Sequence, residues 1–132
     1  RTQAWDFDAV GNFESVTTDG GTPETRTHNR LNEIGNVGGN PLSYDANGNL
    51  LTDENGQQYV YDAWNRLVTV KDASNDVITE YQYDGLNRRV IEESGSGVNH
   101  LLYSQGWQVL EERADSSSTP HTRYVYSPVY ID

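Results

Sequence analysis

The chain has 132 residues, a formal net charge of −11 and neither Cys nor Met. This acidity disfavours nucleic acid and anionic membrane surfaces, and the lack of Cys excludes disulfides, zinc–thiolate sites and thiol catalysis. Only 34% of the residues are hydrophobic, no apolar run approaches the length of a membrane-spanning helix, and no signal peptide is visible.

A chain of this length ordinarily forms one domain and buries a continuous apolar layer. Here nine Tyr carry much of the apolar area, and each tyrosine buries a ring while its hydroxyl seeks a partner. With twelve Gly and few helix-favouring residues, the composition predicts a half-solvated sheet.

In chain order, the first element is the phrase Trp5-Asp6-Phe7-Asp8-Ala9-Val10-Gly11-Asn12-Phe13. An aromatic–acid pair closes a strand, a turn follows, and an apolar residue opens the next strand. Glycine-rich segments 18–23 and 37–41 bracket a degenerate copy, residues 27–34, with His28 at the aromatic position. The phrase then recurs at Tyr44-Asp45, Tyr61-Asp62 and Tyr83-Asp84, and Tyr103-Ser104 opens a further copy. Tyr124-Val125-Tyr126-Ser127 is expected to start one more, truncated by the chain end. The anchors Phe7, His28, Tyr44, Tyr61, Tyr83, Tyr103 and Tyr126 lie about 20 residues apart, a period that implies tandem structural units.

Within each unit the strand signals are short and alternate. Tyr59 and Tyr61 share one face with Val60 opposite, and Tyr81 and Tyr83 form a second same-face pair. Asn47-Gly48 and Asn55-Gly56 predict two-residue type I′ hairpin turns, in which both central residues take positive φ. Asp45, Asp62 and Asp84 are placed to bond forward to turn amides. Residues 94–97 and 114–120 read as long hairpin tips. Each repeat is thus one β-hairpin, giving about six to seven in a single domain over residues 1–132. A lone hairpin cannot hide its apolar face, so the hairpins are expected to join into one long, twisted antiparallel sheet with open end strands.

The phrases Tyr44-Asp45-Ala46-Asn47-Gly48-Asn49-Leu50 and Tyr61-Asp62-Ala63-Trp64-Asn65-Arg66-Leu67 resemble YD repeats of the Rhs type. Such repeats occur in bacterial Rhs and toxin-complex proteins and in teneurins. The resemblance covers roughly residues 5 to 130. It implies an all-β fold in which the hairpins wind as a spiralling sheet, closing in large relatives into a hollow shell. The chain starts at Arg1 and stops partway through a repeat, so it is expected to be a fragment of something longer. In the same resemblance, Phe7, Asp8, Tyr44, Asp45, Tyr61, Asp62, Tyr83, Asp84, Tyr103 and Tyr126 are the structural repeat positions.

Candidate chemistry is sparse. Asp45, Asn47, Gly48 and Asn49 begin like a calcium loop, but Leu50 and Gly56 occupy the sixth and twelfth positions, so the EF-hand pattern fails. The 72–76 tip is a second weak cation candidate, and turn chemistry accounts for both. Glu92-Glu93 and Glu111-Glu112 put adjacent carboxylates on opposite strand faces, whereas paired catalysis needs both across one cleft. His28, His100 and His121 share no ligand spacing. Residues 95–97 and 35–39 lack the following helix of a nucleophile elbow or phosphate loop. Arg30, Arg66, Arg88 and Arg89 recur after the turns, where each can pair with a turn acid or stack on a tyrosine. Trp5, Trp64 and Trp107 read as sheet packing before sugar stacking.

These residues predict a non-enzymatic structural segment of a secreted or cell-surface protein, with no cofactor. Its expected partners are neighbouring YD repeats or identical subunits joined at open edges. The alternative is an adhesive module for a glycan or protein ligand.

Overall fold

A computed structural model describes residues 1–115 and 117–127, and no helix occurs among them. The first strands are β1 (Gln3–Phe7), β2 (Phe13–Thr18), β3 (Glu24–His28), β4 (Ile34–Val37) and β5 (Asn40–Pro41). They form one antiparallel sheet in chain order. A second sheet begins with β6 (Ser43–Tyr44), β7 (Leu50–Thr52), β8 (Gln58–Tyr61), β9 (Leu67–Lys71) and β10 (Val77–Tyr83). It continues through β11 (Arg89–Ser94), β12 (Gly97–Tyr103), β13 (Val109–Ala114) and β14 (Thr122–Arg123), again in chain order.

The fold is therefore all-β and antiparallel, a meander of hairpins as the repeat predicts. The single long sheet, however, is divided between β5 and β6. Leu42 donates its amide to Gly35 O at 3.0 Å, while Ser43 already pairs with Thr52. Pro41 has no amide to continue the ladder, so the extended segment 40–44 turns from β4 to β7 at this point.

Each anchor from Phe7 to Tyr103 lies at the last residue of its strand and beside a register shift. Phe7 pairs with Phe13, His28 with Ile34, Tyr44 with Leu50, Tyr61 with Leu67, Tyr83 with Arg89 and Tyr103 with Val109. The extra residue of such a bulge increases local twist. Because strands alternate in direction, every turn that follows these six anchors lies at one end of the sheet. The intervening tips lie at the other.

The expected continuous buried layer is absent. Among the described residues only Val70 counts as buried, at 9% exposure. It sits between Tyr59 and Thr79 of the adjacent strands. A one-layer sheet has no opposing layer, so both faces keep water and the tyrosine rings are half-buried at best. The tips also differ from expectation. Ser94 pairs directly with Gly97, so Gly95-Ser96 is a two-residue turn and not a long tip. At the C-terminal side, Tyr124 donates to Leu110 O at 2.9 Å but lies beyond β14. Tyr126 is exposed and outside any strand, and the turn expected after it falls outside the described residues.

Candidate functional site

The recurring feature of the chain is the turn after each anchor. In the copy at Tyr44, the Asp45 amide bonds to Asn49 O at 2.9 Å and the Gly48 amide to Asp45 O at 3.2 Å. Asp45 Oδ1 accepts the amides of Asn47 at 2.8 Å and Asn49 at 2.9 Å. Gly48 has φ 82°, whereas Asn47 keeps negative φ. This is a three-residue loop, a type I turn followed by one left-handed residue in a bulge. The type I′ expectation is overturned here and at Asn55-Gly56, where only Gly56 is positive. The Asp carboxylate caps the amides two and four residues on, and that arrangement needs one left-handed residue. Both central residues are left-handed instead at Asp19-Gly20 and Gly38-Gly39.

The same carboxylate cap recurs at Asp8, Asp62 and Asp84. Asn29 supplies it in the degenerate copy and Ser104 Oγ, at 3.2 Å, in the last. Bonds from the Asn12 amide and side chain hold Asp8 below the ordinary carboxylate value of 3.8. Asn49, side chain first, does the same for Asp45, and the Arg88 amide leads the lowering at Asp84. For Asp62 partial burial opposes, but the bonds from Arg66 and the turn amides outweigh it and the pKa is lowered.

The turns are tied to one another through two residues. In four copies the residue four after the cap reaches back to the carboxylate and forward to the next turn, meeting its left-handed residue in three of them. Asn12 Nδ2 lies 3.0 Å from Asp8 and 2.6 Å from Asn32 Oδ1; Asn49 Nδ2 lies 2.8 Å from Asp45 and 3.0 Å from Asn65 Oδ1. Arg66 forms a fork on Asp62 at 2.6–2.7 Å and reaches Asn87 Oδ1 at 2.8 Å. Arg88 forms the same fork on Asp84 and contacts Ser104 O at 3.3 Å.

Both arginines also lie over aromatic rings, Arg66 over Tyr83 at 4.7 Å and Trp64 at 5.1 Å, Arg88 over Tyr103 at 5.0 Å. A left-handed Asn in place of Gly is thus explained: its side chain accepts the tie. The anchors add a second link. The hydroxyls of Tyr44, Tyr83 and Tyr103 donate to Ile34 O, Leu67 O and Arg89 O of the preceding repeat at 2.7–2.9 Å.

Of the other predicted residues, Arg89 stacks on Tyr81 at 5.0 Å and pairs with Glu92, while Arg30 makes neither contact because it sits one residue after the cap instead of four. His100 meets Asp115 at 2.9 Å and His121 meets Asn99 at 2.9 Å. Glu112 binds Asn99 and Tyr124, and Glu111 binds Arg113 and Arg123. Among the described residues no three His, Asp or Glu side chains converge as metal ligands. The tryptophans depart from the packing expectation: Trp5, Trp64 and Trp107 are 48%, 72% and 58% exposed. Trp5 lies on an edge strand and the other two on turns, where an arginine lies over each ring but no strand packs against it. Trp107 itself takes the left-handed position with φ 67°, a placement that its residue type does not predict.

A family model described as the teneurin YD-shell matches residues 1–109. The chain belongs to the teneurin YD-shell family. Relatives of this YD-shell segment include tRNA nuclease WapA of Bacillus subtilis and the tRNA3(Ser)-specific nuclease WapA of Bacillus spizizenii. Each is 29% identical over 125 residues, 91% of this chain but 5% of the relative. Among solved structures it resembles TcdB2-TccC3-TEV (TM-score 0.63, 18% identity) and the Photorhabdus luminescens Tc holotoxin pore (TM-score 0.60, 17% identity). These likenesses span 83% of this chain and 7% of each of those chains, and show the YD-shell fold. The repeated turns and their ties are thus structural elements of a shell-type repeat.

Proposed function

We propose that this chain is a non-enzymatic wall segment of a larger secreted or cell-surface protein. The observation that carries the reading is the tie between successive turns, in which Asn12, Asn49, Arg66 and Arg88 each join their own turn to the next. These side chains are spent on holding repeats in register. Their donor groups are engaged by the capping carboxylates and by oxygens of the next turn, which leaves little for a substrate. The nuclease activity in the names of the WapA relatives belongs to those proteins, of which this segment matches 5%. A net charge of −11 disfavours RNA contact by the segment itself.

In this reading the partners are further YD repeats, or identical subunits, pairing along the outer edge of β1, where every residue is exposed. Assay of the purified chain against transfer RNA and polysaccharides tests the wall function. No turnover is expected, and turnover abolished by a single substitution in this segment would end the reading. Light scattering of wild type and Trp5→Lys tests edge pairing, which the lysine is expected to suppress. A second reading, adhesion to a glycan, draws on the exposed indole of Trp64 beside a hollow of about 380 Å³ lined by Arg66, Tyr83, Asp84 and Asn87. Glycan binding lost in Trp64→Ala would favour it.

A further inference from the structure

The anchor end of the sheet carries a row of apolar side chains that its turns do not require. Val10, Leu31, Trp64 and Leu86 occupy the same position, two residues after the cap, and are 78%, 78%, 72% and 57% exposed. Asn47 interrupts the row, and Trp107 continues it one residue later at 58%. The turns at Asp53 and Asp72 have the same hydrogen bonds and the same left-handed residue, yet carry Asn55 and Ser74 at this position. Turn geometry therefore leaves the position free to be polar. At the anchor end it is apolar four times out of five cap turns closed by Asp or Asn.

We propose that this row is a docking surface for the same row of a second copy of the chain. Neighbouring turns of the row are two strands apart, about 10 Å. Two rows of equal spacing interdigitate around a two-fold axis, each side chain filling a gap of its partner. Covering the five side chains removes on the order of 600 Å² per copy, near the roughly 800 Å² per partner of a stable interface. The row runs across the break between the two sheets, which the Tyr44–Ile34 bond bridges.

Charge selects this end over the other. The anchor-end turns, residues 8–12, 29–33, 45–49, 62–66, 84–88 and 104–108, hold five acids and three arginines, two of them paired within the turns. The opposite tips, residues 19–23, 38–39, 53–57, 72–76, 95–96 and 115–121, hold six acids and no lysine or arginine. Two copies thus meet with least repulsion through their anchor ends, and salt strengthens the contact by screening the remaining like charge.

Sedimentation velocity of the 132-residue chain, with tryptophan emission followed on dilution, tests this. A dimer that tightens with added salt and shifts emission to the blue on association is expected. Leu31→Ser with Leu86→Ser should weaken it at least about tenfold, in keeping with loss of central apolar contacts. Neither leucine side chain touches the ties, so an unchanged far-ultraviolet spectrum verifies the fold. Trp5→Lys on β1 should leave the dimer intact, which separates this contact from edge pairing. A strict monomer up to millimolar concentration overturns the proposal. So does a dimer abolished by Trp5→Lys and indifferent to the leucine pair, or quenching of Trp64 and Trp107 by a soluble polysaccharide in a chain that stays monomeric.

Discussion

Arg66 Nη1 lies 2.8 Å from Asn87 Oδ1, across the boundary between two repeats, while the rest of the same guanidinium grips Asp62 of its own turn. One planar fork therefore fixes two turns, and the ring of Tyr83 beneath it aligns the strands they terminate. Removing it in Arg66→Ala should lower stability by about 1–2 kcal/mol, from the lost stacking and charge-assisted bonds. Arg66→Lys should recover only part, because a point charge cannot bridge both partners. Arg30→Ala, which breaks no contact, is the control. Urea midpoints of the three variants measure the difference, and equal midpoints would refute the tie.

The capping aspartates make the fold acid-sensitive. Asp8, Asp45, Asp62 and Asp84 have folded pKa values below the ordinary 3.8. A lowered folded value means that the stabilisation is complete above the unfolded value. It is lost as pH falls through the lowered one. Thermal melts followed from pH 5 to pH 2, a range set by the carboxylate values, should show a steep loss below pH 4. Asp45→Asn with Asp84→Asn should start less stable and flatten that slope.

At alkaline pH Tyr59 stands apart. Burial first, then the hydrogen bond and charge of Asp53, raise it to about 12 from 10.0. Its hydroxyl is 3.0 Å from Asp53 Oδ2. A raised folded value gives stabilisation that is whole below the ordinary tyrosine range and is lost as pH rises through about 12. Tyr44, Tyr61, Tyr83 and Tyr124 are also raised, so absorbance titration at alkaline pH should show a late component that Asp53→Asn brings earlier.

The anchor hydroxyls can be compared directly. Tyr83 donates to Leu67 O at 2.7 Å, and Tyr83→Phe should cost about 1 kcal/mol, the usual net worth of one such bond. Tyr61 holds the equivalent position, yet its hydroxyl makes no such bond. Tyr61→Phe should therefore be close to neutral. If both variants unfold at the same denaturant concentration, the hydroxyl link contributes nothing.

Trp107 carries a conformational cost. A bulky side chain at φ 67° is disfavoured by about 1–2 kcal/mol, which Gly and Asn largely escape. Trp107→Asn removes the indole from above Arg88, at 5.8 Å a weak contact, and restores the residue type of Asn65 and Asn87. A higher urea midpoint is expected, by about 0.5–1 kcal/mol of net stability. A lower midpoint would mean that the indole contributes more than its backbone costs.

Much of this was readable in the residue string. The aromatic–acid phrase predicts where strands end, and the structure ends them at Phe7, His28, Tyr44, Tyr61, Tyr83 and Tyr103. The turn type is not legible from Asn-Gly as an isolated pair. The telling signal was the constant distance of three residues from each cap to its Gly or Asn, which also holds at Asn65 and Asn87, where no Asn-Gly pair exists. The residue string marks the arginines as pairing residues between repeats, but it does not name the partner in the next repeat. That partner lies 21 residues away for Arg66, and only the strand register brings it close.

The hairpins, their order and the residues that close each turn are written in the residue string, because period-two alternation and turn capping act over a few residues. How one repeat is fastened to the next, where Pro41 divides the sheet, and which side chains stay in water emerge from the folded chain alone. Those outcomes depend on what lies across a strand or above a face. In a single-layer sheet nothing lies above it, so the expected core shrinks to Val70 while the row from Val10 to Trp107 remains exposed.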